Sequence, residues 1–107
     1  MYHDLIWSRS EKELARRVFD AALAAELAEV MAEFKARAAA TATPGEMWEL
    51  EHYLGRKRRE IEEKYDYRYS QLILVFARLV REGRIREEQL YGLSEEKLSY
   101  IRRIVSL

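Results

Sequence analysis

The sequence contains no cysteine, one proline and four glycines among its 107 residues. Without cysteine there is no disulfide and no thiolate zinc site. With Pro44 alone and glycine only at positions 45, 55, 83 and 92, strands and the tight turns between them have little room. No apolar run approaches the roughly 18 residues of a membrane span. The opening MYHDLIWSRS lacks the basic-then-apolar order of a secretory signal. An excess of one charge is missing too: Lys plus Arg and Asp plus Glu number 19 each, so no net field draws the chain to nucleic acid or to an anionic membrane. A soluble, cytoplasmic, folded single domain is expected, and any electrostatic function must be local.

What is present reads as helix. Ser10 followed by Glu13 has the spacing of a capping box, and strong helix formers continue through FDAALAAELAEVMAEFKARAAA. Phe19, Leu23, Leu27, Val30 and Phe34 recur every three or four residues and line one stripe. The TATPGE segment ends this helix and starts a second, with Thr43 as N-cap, Pro44 in the first helical position and Glu46 closing another capping box. After Gly83, IREEQLYGL reads as a short helix ended by Gly92. Ser94 caps a last helix whose buried face carries Ile101, Ile104 and Val105, with Leu93 and Leu98 placed as a hydrophobic staple.

Between Gly45 and Gly83 only Gly55 interrupts, which predicts one helix of about 57 Å at 1.5 Å per residue. Its later part, Leu72–Val80, is apolar around most of its circumference and belongs in a core, whereas Met47, Leu50, Leu54, Ile61 and Tyr65 make only a thin seam. Arg56 with Glu60, Arg58 with Glu62 and Arg59 with Glu63 stand at ion-pair spacing. The expected architecture is all-α: two long antiparallel helices forming a stalk over roughly residues 11–70, and a small C-terminal helical head over roughly 71–107. A long helix with a thin seam is covered most simply by a second copy, as a two-fold dimer through the long helices.

Sites for bond chemistry are hard to find. Glu49 and His52 have the Glu-x-x-His spacing of di-iron bundles, but the only other histidine is His3 and such sites need a second pair with further carboxylates. No metal site is expected. There is no activated nucleophile motif and no glycine-rich phosphate loop, so no enzyme is expected. Arg56, Lys57, Arg58 and Arg59 with Tyr65, Tyr67 and Tyr69 resemble a nucleic-acid surface, but Glu60, Glu62 and Glu63 neutralise the run. The tyrosines, with Asp66 and Arg68 beside them, are read as the structural junction of head and stalk. Trp48, on a helix with little core of its own, is read as an interface anchor.

The run WELEHYLGRKRREIEEKYDYRYSQLILVFARLVREG resembles the fluorescence recovery protein family. It carries that family's Trp-x-Leu at Trp48 and Leu50, and Lys-Arg-x-Glu-Ile at Lys57, Arg58, Glu60 and Ile61. Lys-Tyr-Asp-x-Arg follows at Lys64 to Arg68, and Val-Phe-Ala-x-Leu at Val75 to Leu79. Weaker similarity extends over nearly the whole chain. The resemblance implies a dimeric, all-helical, cofactor-free regulator that binds the light-activated red form of the orange carotenoid protein. It would speed that protein's return to the orange form, ending photoprotective quenching at the phycobilisome.

The resemblance also implies which residues matter. Trp48 and Arg58 match family residues tied to dimer and activity, and His52 stands where the family has an aspartate, with Glu51 adjacent. Leu50 and Leu54 are assigned to the same interface. In the head, Leu74 and Tyr100 stand where the family has an aromatic and a lysine in contact with the carotenoid protein, and Ile104 is grouped with them. The alternative is an interaction module of the same architecture with a different, unknown partner in a non-photosynthetic bacterium.

Overall fold

The computed structural model describes residues 4–107, and these contain no strand. Helix α1 spans Arg9–Ala40, α2 Pro44–Lys64, α3 Leu72–Arg81 and α4 Glu95–Val105, with a 3-10 turn at Glu87–Leu90. The all-helical class is as expected, and the caps explain most of the boundaries. The Thr43 hydroxyl accepts from the Glu46 amide at 3.2 Å and donates to its carboxylate at 3.1 Å. At α4 the Ser94 hydroxyl accepts from the Lys97 amide. The first cap is two residues earlier than expected: Ser8, not Ser10, closes the box. The Glu11 amide donates to the Ser8 hydroxyl at 3.2 Å and the Ser8 amide to the Glu11 carboxylate at 2.9 Å. Both serines have Glu three positions on, so spacing alone does not separate them.

The expected 57 Å helix does not form. It ends at Lys64, residues 65–68 are non-helical, a turn follows at 69–71, and α3 then begins at Leu72. The cause is visible in the side chains. Tyr65 and Tyr67 meet the Phe19 ring edge-on, with centroids 5.4 and 4.8 Å away, and Tyr69 lies against Tyr67 and Trp7 at 5.8 and 5.7 Å. Asp66 and Arg68, at the intervening positions, pair with each other through Arg68 Nε at 2.9 Å. Alternate residues thus serve opposite sides, the period of extended backbone rather than of helix. The Tyr65 hydroxyl donates to the Ala22 carbonyl at 3.3 Å, and the Arg68 carbonyl accepts from the Gln71 and Leu72 amides as the chain turns into α3.

The chain groups into two compact units, residues 1–22 with 65–107, and residues 23–64. The N-terminal part of α1 therefore packs with the C-terminal helices, so the expected division near residue 70 is not where the packing divides. In the first unit α3 packs on α4, and Phe76, Leu72, Ile73, Leu79, Leu90 and Ile101 are fully buried. Two glycines serve this core. Gly83 takes a left-handed φ of 73° after α3, a conformation that costs other residues roughly 1–2 kcal/mol. At Gly92 an added Cβ would come within 2.5 Å of the Leu14 side chain. In the second unit α2 buries only Tyr53, Ile61 and Lys64. Its α1 and α2 segments are joined by Lys64 Nζ on Glu26 at 2.7 Å and by the Arg37 guanidinium 4.0 Å from the Tyr53 ring centroid. Those contacts are equally spaced on both helices, about three turns apart, which gives an antiparallel register.

Phe19 is buried beneath both tyrosines. Phe19→Ala removes the ring that holds the chain in its non-helical form and leaves a cavity, and should cost about 3–5 kcal/mol, read as a lower urea midpoint.

Candidate functional site

The residues assigned to the long-helix interface lie on α2, and α2 is held away from solvent only along one side. Tyr53, Ile61 and Lys64 form that side; at 100° per residue Trp48, Glu51 and His52 fall on the opposite face. The structure leaves Trp48 56% exposed, together with Met47 and Leu54 on α2 and Leu27 and Met31 on α1. Five large apolar side chains of this unit are thus left exposed. Leu50 is half-buried and lines a recess of about 250 Å³ with Arg37, Ala40, Thr41, Glu46 and Glu49. Arg58 donates to Glu62 at 2.9 Å as its spacing suggested, whereas Glu60 pairs with Lys57 at 3.5 Å instead of Arg56. Glu51 and His52 are exposed.

The head residues separate into two neighbourhoods. Leu74, 42% exposed on α3, and Ile104 on α4 line one groove of about 300 Å³ with Ala77, Arg78, Arg81 and Glu82. Tyr100 lines a different depression of about 590 Å³, with Asp4, Leu5, Ile6, Glu11, Ser94, Glu96 and Lys97. The Arg103 guanidinium stands 5.9 Å from the Tyr100 ring centroid. Ile104, expected on the buried face, is only half-buried. Tyr65, Asp66 and Arg68, read as a junction in the sequence, lie in the non-helical segment between α2 and α3. Burial, followed by the neighbouring Tyr69, pushes the Tyr67 phenol up, and the Arg16 guanidinium lies 3.6 Å from the Tyr67 ring centroid.

Among the described residues no group of His, Asp and Glu could hold a metal ion; Glu49 and His52 are both exposed, and His3 lies outside the described residues. No helix among them is long and apolar enough to cross a membrane. One polar cluster went unread in the sequence. Glu11 and Lys97, both buried, pair at 3.2 Å, and the Glu11 carboxylate also accepts from the Ser94 amide at 2.8 Å. Lys97 Nζ donates to the Ile6 carbonyl at 2.6 Å and stands 5.0 Å from the Trp7 ring centroid. A signal was available: a lysine in the first turn of a helix opposes the helix dipole, and so asks for a carboxylate from elsewhere.

Burial pushes the Glu11 carboxyl up, but the Ser8 and Ser94 amides and Lys97 together outweigh it and hold the group below its ordinary value of 4.5. A carboxylate held low in the folded state stabilises above its ordinary value, and that stabilisation is lost as pH falls through the folded value. Glu11→Gln should therefore lower the urea midpoint at pH 7, with the gap to the parent narrowing as pH falls below about 4.

A family model described as the photoprotection regulator fluorescence recovery protein matches residues 7–105. A fluorescence recovery protein from Synechocystis sp. is 37% identical over 101 residues, which span 94% of this chain and 93% of the relative. Solved structures of fluorescence recovery proteins from Fremyella diplosiphon and Synechocystis sp. each superpose with a TM-score of 0.89, at 33% and 36% identity, covering 95% of this chain and 100% of theirs. The chain belongs to the fluorescence recovery protein family.

Proposed function

We propose that this member of a family of photoprotection regulators acts as a cytoplasmic homodimer that binds light-activated orange carotenoid protein and accelerates its red-to-orange relaxation. The observation that carries the reading is the family match across residues 7–105, which includes both the exposed α2 face and the α3–α4 groove. No bond is made or broken and no cofactor is used. A partner with two conformations is shifted toward the compact one when the regulator binds that form more tightly than the red form, and returns faster when the route between them is bound more tightly than the red form. Any shift is limited by that preference.

Dimerisation is supported by the apolar face of the 23–64 unit. Met47, Trp48 and Leu54 stand exposed on α2 while little of that helix is buried in its own chain. The length of the helix no longer supports it, since α2 has 21 residues and is about 32 Å long. A second copy would remove Trp48 from water, and burying such a side chain supplies much of the energy of a small interface. His52 and Glu51, exposed beside Trp48, would lie at the rim or in the contact.

Leu54→Glu should shift sedimentation at low micromolar concentration from dimer to monomer mass; a variant that keeps the parent's mass would remove α2 from the interface. The functional test measures dark relaxation of photoactivated orange carotenoid protein with and without the chain. Acceleration is expected. A folded dimer that leaves the rate unchanged would reject the proposed activity and turn the search to another protein partner.

A further inference from the structure

We propose that Glu11 and Lys97 form a buried clasp that positions α4, and through it the Tyr100 and Ile104 side of the head, for contact with the protein partner. The inference rests on the proposed binding of orange carotenoid protein and on the family resemblance, which implies that Leu74 and Tyr100 meet that partner. Lys97 is 3% exposed, and its ammonium is bonded to the Ile6 carbonyl and the Glu11 carboxylate. Glu11 in turn accepts from the Ser8 amide at 2.9 Å and the Ser94 amide at 2.8 Å. One carboxylate, 83 positions from Ser94, therefore joins the N-cap of α1 to the N-cap of α4.

A buried ion pair is a poor device for stability, because desolvating two charges offsets most of their attraction and an apolar pair of the same volume often does as well. What directional bonds add is register. The apolar contacts of Leu98 and Ile101, both buried, tolerate a small slide of the helix, whereas the four bonds around Glu11 and Lys97 do not. Lys97, Tyr100 and Ile104 follow at intervals of three and four, so they share one side of α4. The clasp forms part of the depression that Tyr100 lines, and Ile104 forms the α4 wall of the groove whose α3 wall carries Leu74 and Ala77. A displaced α4 changes both. Glu11 and Lys97 are thus positioning residues, while Leu74, Tyr100 and Ile104 are the contact.

The test titrates photoactivated orange carotenoid protein with Lys97→Met, and with Glu11→Gln in case the first variant does not fold. Leu90→Ala serves as a control, removing a fully buried side chain from the same unit outside the clasp. The expected result is that each clasp variant keeps dimer mass and helix content but needs about tenfold more protein for half-maximal acceleration. Leu90→Ala, compared at an equal loss of urea midpoint by adjusting temperature, should need no more than the parent. An equal weakening by Leu90→Ala would make the clasp merely structural and overturn the proposal, as would parental titrations for both clasp variants. Leu74→Asp separates the two levels: if it too accelerates like the parent, the head face is not the contact and the reading beneath the clasp fails. If it abolishes acceleration while both clasp variants keep the parental titration, only the clasp is overturned.

Discussion

The grip of Tyr65 and Tyr67 on the Phe19 ring is the contact on which the unit of residues 1–22 and 65–107 depends. It brings the chain back onto α1 after α2, and the Tyr65 hydroxyl bonded to the Ala22 carbonyl ties the same point through the backbone. Only then can α3 start from the Arg68 carbonyl and place an almost wholly apolar helix, Leu72 to Leu79 with Leu74 and Arg78 outward, against α4. Edge-on aromatic contacts contribute about 0.5–1.5 kcal/mol each beyond their buried area, comparable with the helical hydrogen bonds forgone over residues 65–68. Tertiary packing here overrides a segment whose composition would tolerate helix.

That override explains what was legible in the sequence and what was not. Helix ends marked by local chemistry, at Ala40, Pro44 and Ser94, could be read because a cap is satisfied within a few residues. The break after Lys64 carries no glycine or proline. Its mark is the strict alternation of Tyr65, Tyr67 and Tyr69 with Asp66 and Arg68, a two-residue period hidden inside helical surroundings. Ser8 and Ser10 could not be told apart because the choice is made 83 positions away, by the Ser94 amide on Glu11. The exposed α2 face was legible for a similar reason: the apolar seam was too thin to bury Trp48, which stays 56% exposed among the described residues.

The departures that the family resemblance implies fall where they leave the fold alone. His52 and Leu74 are exposed and Tyr100 is half-buried, so none is a core position whose exchange would force repacking. By the family resemblance, each exchange alters the chemistry offered to a neighbour rather than the packing: an imidazole for a carboxylate at His52, an aliphatic group for an aromatic ring at Leu74, and a phenol for an ammonium at Tyr100. The chain superposes on solved family structures with a TM-score of 0.89 at about a third identity, and a fold is kept where exchanges spare the close-packed core.

The sparse interior of the 23–64 unit has one further consequence. With α2 burying only Tyr53, Ile61 and Lys64, little apolar contact opposes the conformational entropy of its two helical segments. In a lone chain, backbone amides of this hairpin belong to the low end of the range of opening free energies, while those around Phe76 and Leu79 report global unfolding. Amide exchange should thus run on two clocks within one small protein, the faster of them sensitive to whatever shields Trp48.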